Sequence, residues 1–520
     1  PADFEFSYID NAAYGTAMVT ATGRAGTSCA GASVTASFKI AARFRVTALS
    51  LETEGDGLSW ASPMSLTNAI AAAARKEDEI LVKAGTYAVA ATISVPNPVT
   101  IRGGYAGTAG DAMAAEPETV LDGGGTLADT IMSVTAATES TDVTTIENFA
   151  FARSLRRGFS KSGIASLRLL NCRFDSNSMN ATADWNGIGA YLAGTVGFTE
   201  VTLSNCVVRA NQDVASGWKS VYGHGVYAAN LAALKLIDTT FVSNGIAPSS
   251  SYSTAPAFAY NVRGFALYAS AAPVVAQGCD FRLNRGYSRY PDGTRYAHGG
   301  IVWVEGNSSG TAFDHCLFAG NITCNGGGGD GPGNVDGTLL LNLGSTSQSA
   351  SINHCTFFGN IADTVGGTAG VLFQRGTFTL ENSIFAGNVV GSYALNGADL
   401  HLAAGALSVA HCLFGGEGVR WVSAAAGATI TMPGETGNVI YGDPRTVTPI
   451  ENILSSIAGS GEKSFPSTPS PLYFGLSAAN LATVLAFDAH LLSGSGYRKN
   501  GSAEWFTDTT HDSAAVDPAD

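Results

Sequence analysis

Seven times between residues 171 and 388 a short phrase returns and closes on an asparagine: NCRFDSN, NCVVRAN, DTTFVSN, GCDFRLN, HCLFAGN, HCTFFGN and NSIFAGN. The asparagines are Asn177, Asn211, Asn244, Asn284, Asn321, Asn360 and Asn388, so the interval varies between 28 and 40 residues while the phrase keeps its length. A fixed phrase at elastic intervals specifies stacked structural repeats joined by loops of varying length.

Residues alternate inside the phrase. Successive side chains of a strand point to opposite faces, so Cys172 and Phe174 share the inward face and Asn171 and Arg173 the outward one. The closing asparagine falls where the strand must turn, a position that suits it because it tolerates a left-handed backbone and hydrogen-bonds locally, and stacked repeat upon repeat these residues would form an asparagine ladder. After a loop comes a second phrase, glycine followed by an apolar alternation, at 187–194, 223–230, 263–270, 299–306, 337–344, 367–374 and 397–404. Each reads as a strand opened by a tight bend. Two strand phrases in fixed order, with a third short strand between them, predict an all-β chain folded as a right-handed parallel β-helix of about ten to twelve coils. A β-sandwich would need turn signals every ~8–12 residues, without this long-range register.

The cysteines obey the same register. Cys172, Cys206, Cys279, Cys316, Cys355 and Cys412 occupy one inward slot, alternating with Thr239 and Ser383, so the slot wants a small side chain. In-register parallel side chains point alike rather than at each other, which predicts buried thiols instead of disulfides. Cys29 and Cys324 fall outside the slot, and nothing in the sequence pairs them or settles their state.

Three segments are expected: 1–50, an N-terminal β segment; 51–441, the β-helix; and 442–520, an irregular cap or junction carrying Pro444, Pro449, Pro466, Pro469 and Pro471. Ser62-Pro63 offers an N-cap and first-turn proline for a helix over LTNAIAAAARKEDE that would cover the open end of the core. A net charge of −14 argues against nucleic acid as a partner. No run reaches the ~18 apolar residues of a membrane-spanning helix, so no membrane insertion is expected. The opening PADFEF lacks signal-peptide character, the expectation being a mature, trimmed or partial chain. Few charges with abundant Gly, Ser, Thr, Asn and Ala point to an extracellular or cell-surface setting.

The FxxN phrases, Phe174–Asn177, Phe241–Asn244, Phe281–Asn284, Phe318–Asn321, Phe357–Asn360 and Phe385–Asn388, paired with glycine-led strands, resemble the FxxN and GGAI repeats of the chlamydial polymorphic membrane protein adhesins. GDGLSWASP, VKAGTY and VTIRGGYAG are similar to the opening of right-handed parallel β-helix repeat proteins of the pectate-lyase-like superfamily. Together the matches span roughly 55–441 and imply fold far more strongly than activity. Residues 488–520 resemble the terminal segment of such proteins, and IDNAAYGTA (9–17) resembles the phrase that normally follows it. The chain is therefore expected to be one period of a tandem protein, its modules joined or self-associating end to end.

The loops after the asparagines swell at 212–222, 245–262, 285–298 and 322–336 and would form a wall along one edge. Aromatic rings stack on sugars and arginine forks grip carboxylates or sulfates. Trp218, Tyr222, Arg285, Tyr287, Arg289, Tyr290, Arg295 and Tyr296 are thus candidates for a glycan site, with Lys219 and His224 nearby; the competing reading is that they only pack the loops together. Glycosidic chemistry needs paired carboxylates, or a calcium cage beside a base, and no such set is evident on consecutive coils. The expected role is a non-catalytic structural or adhesive module; the alternative is a polysaccharide lyase or hydrolase. His315, His354 and His411 should stack outward, but a metal wants a third ligand and Asn382 interrupts the series, so a polar ladder without metal is expected. GGGGDGPGNVDG (326–337) offers Asp330, Asn334 and Asp336 as ligands for a structural Ca²⁺, yet occurs once where such sites are tandem, and no other cofactor is implied.

Overall fold

The computed structural model describes residues 3–11, 16–24, 33–39, 42–50, 53–73, 76–115, 118–136, 142–179, 185–213, 219–246, 259–288, 300–325, 337–363, 367–390, 398–414, 422–431 and 440–441. Among them the chain is all-β apart from one short helix, and its strands form long parallel sheets. Each strand pairs with its counterpart one repeat later, so the repeats lie as rows in register. The phenylalanine strands make a 12-stranded sheet. The glycine-led strands and those preceding each cysteine form two columns of a 24-stranded sheet, merged where Thr368–Glu381 runs unbroken through both. A 7-stranded sheet of short segments follows the asparagines, so a typical repeat carries four strands, one more than expected.

The phrase buries what its alternation requires. Cys172 and Phe174 are in the core, and from Phe241 to Phe414 the phenylalanine rings stack row upon row, with centroids 4.5–5.0 Å apart and planes within 4–23°. That separation is the strand spacing itself, so ring stacking comes without cost to the backbone ladder.

The asparagines form a second column, fully buried. The Nδ2 of each donates to Oδ1 of the next at 2.9–3.1 Å, from Asn177 through Asn388. It also donates to a backbone carbonyl at 2.8–3.0 Å, and the backbone N–H of each asparagine up to Asn360 donates to the next Oδ1 at 3.0–3.3 Å. From Asn211 to Asn360 each amide thus has all four of its hydrogen-bonding capacities used. Asn388 ends the column by donating to Asp399 Oδ1 at 2.9 Å, and the Ser154 N–H begins it by donating to Asn177 Oδ1 at 3.0 Å.

The left-handed residue is not the asparagine, as its type suggested, but the one before it: Ser176, Ala210, Ser243, Leu283, Gly320, Gly359 and Gly387, and likewise Arg153 before Ser154, have φ of 52–60°. An asparagine whose side chain must point inward cannot also be the bend. A second left-handed corner, φ 47–62°, precedes every cysteine slot and is held by Asn148, Asn171, Asn205, Asp238, Gly278, His315, His354, Asn382 and His411. Across that corner each thiol reaches the carbonyl two residues back at 3.2–3.4 Å. Thr239 and Ser383 do the same at 3.0 and 2.7 Å. The slot therefore selects a small donor, and all six of its cysteines are free thiols. Burial pushes the Cys412 thiol up to about 12 and raises Cys172, Cys279 and Cys316 well above the usual range, keeping them protonated.

At the N-terminal side the helix is Leu66–Ala72, shorter than expected and capped by Ser65 rather than Ser62. The carbonyls of Ser62 and Pro63 instead accept from Gly57 and Gly55. Leu66, Ala69 and Ile70, one face at helical spacing, are buried in the main core. Arg43–Ala48, within the segment expected to be separate, pairs in parallel with Glu79–Lys83, while Asp3–Asn11, Thr16–Arg24 and Ser33–Lys39 form an antiparallel meander. The expected segment 442–520 lies outside the described residues.

Three outcomes follow from this packing. Asn321→Ala strips partners from two neighbouring rows and should cost about 3 kcal/mol or more, read as a lower denaturant midpoint, whereas Asn171→Gly at the exposed corner should cost under about 1 kcal/mol. Ala210→Gly relieves a left-handed alanine and should stabilise by about 1 kcal/mol. Site-resolved alkylation should leave the six slot cysteines unmodified at pH 9 until the chain unfolds. Because the folded pKa of Cys172, Cys279, Cys316 and Cys412 is raised, the contribution of these four thiols to stability is full below the unfolded pKa and declines above pH ~9.

Candidate functional site

In-register rows convert scattered residues into columns. On the face of the glycine-led strands turned away from the main core, one column runs Ser133, Ser160, Tyr191, Tyr227, Tyr268, Trp303, Leu340, Leu372, His401. Tyr191 and Tyr227 stack at 5.2 Å with planes 2° apart, and Tyr227 and Tyr268 at 5.4 Å. Tyr268, Trp303, Leu340 and Leu372 are buried as an apolar cluster separate from the main core, with Tyr222 and Tyr227 packed on it.

Two arginines clasp this column. Arg263 lies 4.8 Å from the Trp303 ring centroid and 5.6 Å from that of Tyr222. Its charge is met by Glu305, which also accepts from Trp303 Nε1 at 2.8 Å and from the Tyr268 hydroxyl. That neighbourhood is neutral and closed. The Tyr268 hydroxyl is pushed up by burial and then by the Glu305 charge, and so stays a donor.

Arg157 makes the other clasp, 4.6 Å from both Trp185 and Tyr191, while Arg156 lies 4.8 Å over Trp185. Arg157 is anchored by donating to the Gly187 carbonyl at 3.0 Å and the Asn186 carbonyl at 2.7 Å. Burial lowers it to about 10, which leaves it charged at neutral pH. An open cleft of about 550 Å³ is lined by Arg157, Trp185, Asn186, Tyr191 and Tyr222. The Trp185 Nε1 hydrogen has no partner among the described residues. Among the described residues no carboxylate lines the cleft, although the Asp129 charge acts on Arg157 from nearby, so the lining combines aromatic faces with a positive charge.

Of the residues picked from sequence, Tyr222 lines this cleft. Trp218, Arg289, Tyr290, Arg295 and Tyr296 lie outside the described residues, as does the side chain of Tyr287, whose backbone is in the strand Arg285–Ser288. Arg285 does not line the cleft; it sits in the short sheet after the asparagines, where burial lowers its pKa to about 10. His224 is fully buried with its ring 5.2 Å from Phe265, not on the surface. Asp330, Asn334 and Asp336 lie outside the described residues. The expected loop wall is partly strand: Lys219–Tyr222 and Ala259–Arg263 pair in parallel beside Trp185–Asn186.

Sequence reading missed Arg157, Trp185 and Tyr191, although the alternation of GIGAYLAG already put Tyr191 opposite the buried Ala190 and Leu192. It also missed an acid–arginine cluster on the phenylalanine sheet: Asp122 with Arg153, and Asp175 between Arg173 and Arg209, with Glu118 also on Arg173. Arg209 holds Asp175 below the usual carboxylate range against the opposing effect of burial, and Arg153 does the same for Asp122. These carboxylates brace adjacent rows. At the second left-handed corner His315 and His354 stand on adjacent rows with rings 4.6 Å apart, and Asp314 lies against both.

No family model matches this chain, and no curated protein does. Among solved structures, Geobacillus virus E2 ORF18 aligns at 12% identity and a TM-score of 0.32, over 75% of this chain and 60% of that one. The chain thus spans less than two thirds of that protein's length, and a likeness of this size carries no argument about fold or function.

Proposed function

We propose that this chain is a right-handed parallel β-helix acting as an extracellular, non-catalytic module that binds an anionic glycan along its aromatic column. The observation that carries the reading is the Arg157–Trp185–Tyr191–Tyr222 cleft, open where the column's stretch from Tyr268 to Leu372 is buried. Its volume is in the range of small-molecule sites. Flat aromatic faces suit the apolar sides of sugar rings, and the Arg157 guanidinium in the lining, with Arg156 over Trp185, favours a uronate or sulfate. Rows about 4.8 Å apart present these groups on a rigid scaffold, so little ordering is needed on binding. The β-helix itself is supported by one-repeat parallel pairing in three long columns. A lyase or hydrolase would place carboxylates at the sugar, and the cleft's described lining is aromatic and basic.

Glycan-array screening followed by calorimetry should find binding to uronic-acid or sulfated polysaccharides that weakens as salt rises. Trp185→Ala should weaken it by about tenfold or more while the unfolding curve keeps its cooperativity. Equal affinity for neutral glycans, unchanged binding by Trp185→Ala, or no glycan bound at all would overturn the reading.

A further inference from the structure

We infer that Asp314, His315 and His354 form a binding site for a single divalent cation of the zinc class, on a face of the molecule separate from the aromatic cleft. Sequence left two stacked imidazoles short of a third ligand. The fold supplies it from the residue beside His315, because the left-handed corner at His315 (φ 50°) turns its side chain back toward its own neighbour. His315 Nδ1 lies 3.1 Å from Asp314 Oδ2, and His354 Nδ1, one row on, lies 3.4 Å from Asp314 Oδ1. All three donor atoms fall within 4.8 Å of one another. A tetrahedral zinc with bonds near 2.1 Å needs donors roughly 3.4 Å apart, so small side-chain rotations suffice.

Several features separate this trio from a chance surface cluster. The carboxylate is oriented by a further partner: Asn353 Nδ2 donates to Asp314 Oδ1 at 3.1 Å, and Asn382 Nδ2 donates to Asn353 Oδ1 at 2.9 Å. Metal sites rely on such outer hydrogen bonds to fix their ligands. The rows are held in register from below by the buried Cys316 and Cys355, so the two imidazoles cannot drift apart. The ligands remain reachable, with Asp314 38%, His315 35% and His354 17% exposed. Two imidazoles and one carboxylate suit zinc, copper or nickel; calcium and magnesium prefer more oxygens. Water would complete the coordination. Bound there, the ion ties one row to the next from outside.

The test uses tag-free protein and the metals alone. Titration with Zn²⁺ should give saturable one-to-one binding, absent with Ca²⁺ or Mg²⁺. Substitution with Co²⁺ should show ligand-field bands without the thiolate charge-transfer band that cysteine ligation produces, which separates this site from any held by thiols. His315→Asn and His354→Asn are mild, since the same corner already carries asparagine in other rows, and each should weaken Zn²⁺ by well over tenfold, as should Asp314→Asn. Glycan binding at the Trp185 cleft should be unchanged in all three variants, so that failure of one site is distinguishable from failure of the other. Absence of one-to-one Zn²⁺ binding, thiolate bands with Co²⁺, or full affinity in His315→Asn and His354→Asn would overturn the inference.

Discussion

Parallel strands held by backbone bonds alone can slip by two residues and still present the same faces to core and solvent. A buried asparagine whose donors and acceptors are all taken by the rows above and below cannot slip at all, because any displacement leaves amide groups unpaired in an apolar interior. The Asn177-to-Asn388 column therefore fixes register for the repeats it traverses. The phenylalanine stack and the slot of small donors depend on that register. Rings overlap face to face only when rows are aligned, and a thiol reaches the carbonyl two residues back only when the corner between them is left-handed.

Exact alignment inside has its counterpart outside. Residues separated by some 35 positions in sequence become neighbours on the surface, and a property that varies slowly from repeat to repeat becomes a gradient along the molecule. The glycine-led column passes from serine through tyrosine and tryptophan to leucine. Where it is aromatic and still open, Arg157 and Arg156 bring charge to it; where it is closed, Glu305 neutralises Arg263. One architecture thus yields an inert stretch and a receptive one by exchanging single residues at a repeated position.

The parallel all-β core was legible because the inward residues, Cys172 and Phe174 and their equivalents, alternate with a period of two and recur with an invariant asparagine. What escaped was set by corners and by register. Nothing in asparagine's own propensity reveals that Ser176 or Leu283 would take the left-handed bend in its place, since the need to bury the amide overrides local preference. The donor requirement in the cysteine slot was visible only as a preference for small size, although Thr239 and Ser383 carried the clue. Tyr222 was found because its loop drew attention by composition, whereas Arg157 and Trp185 sit in short unremarkable segments and meet only once rows are stacked. Asp314 was passed over because a strand places adjacent residues on opposite faces, an expectation that fails at a left-handed corner.

The asparagine column also has a direction. Every side-chain amide donates toward the C-terminal row and accepts from the N-terminal one, so their dipoles add with the positive end at Asn388, where the carboxylate of Asp399 receives the last hydrogen. At the opposite end a backbone N–H of Ser154 fills the first acceptor. Such an array behaves as a helix dipole does, attracting an anion to one end and a donor to the other. Its two faces are chemically unlike, so an incoming row that brings an acceptor fits only the C-terminal face. The stack is thereby vectorial: each row meets the donor of the row before it with an acceptor, Asp399 caps the last donor, and a row arriving upside down would meet donor with donor.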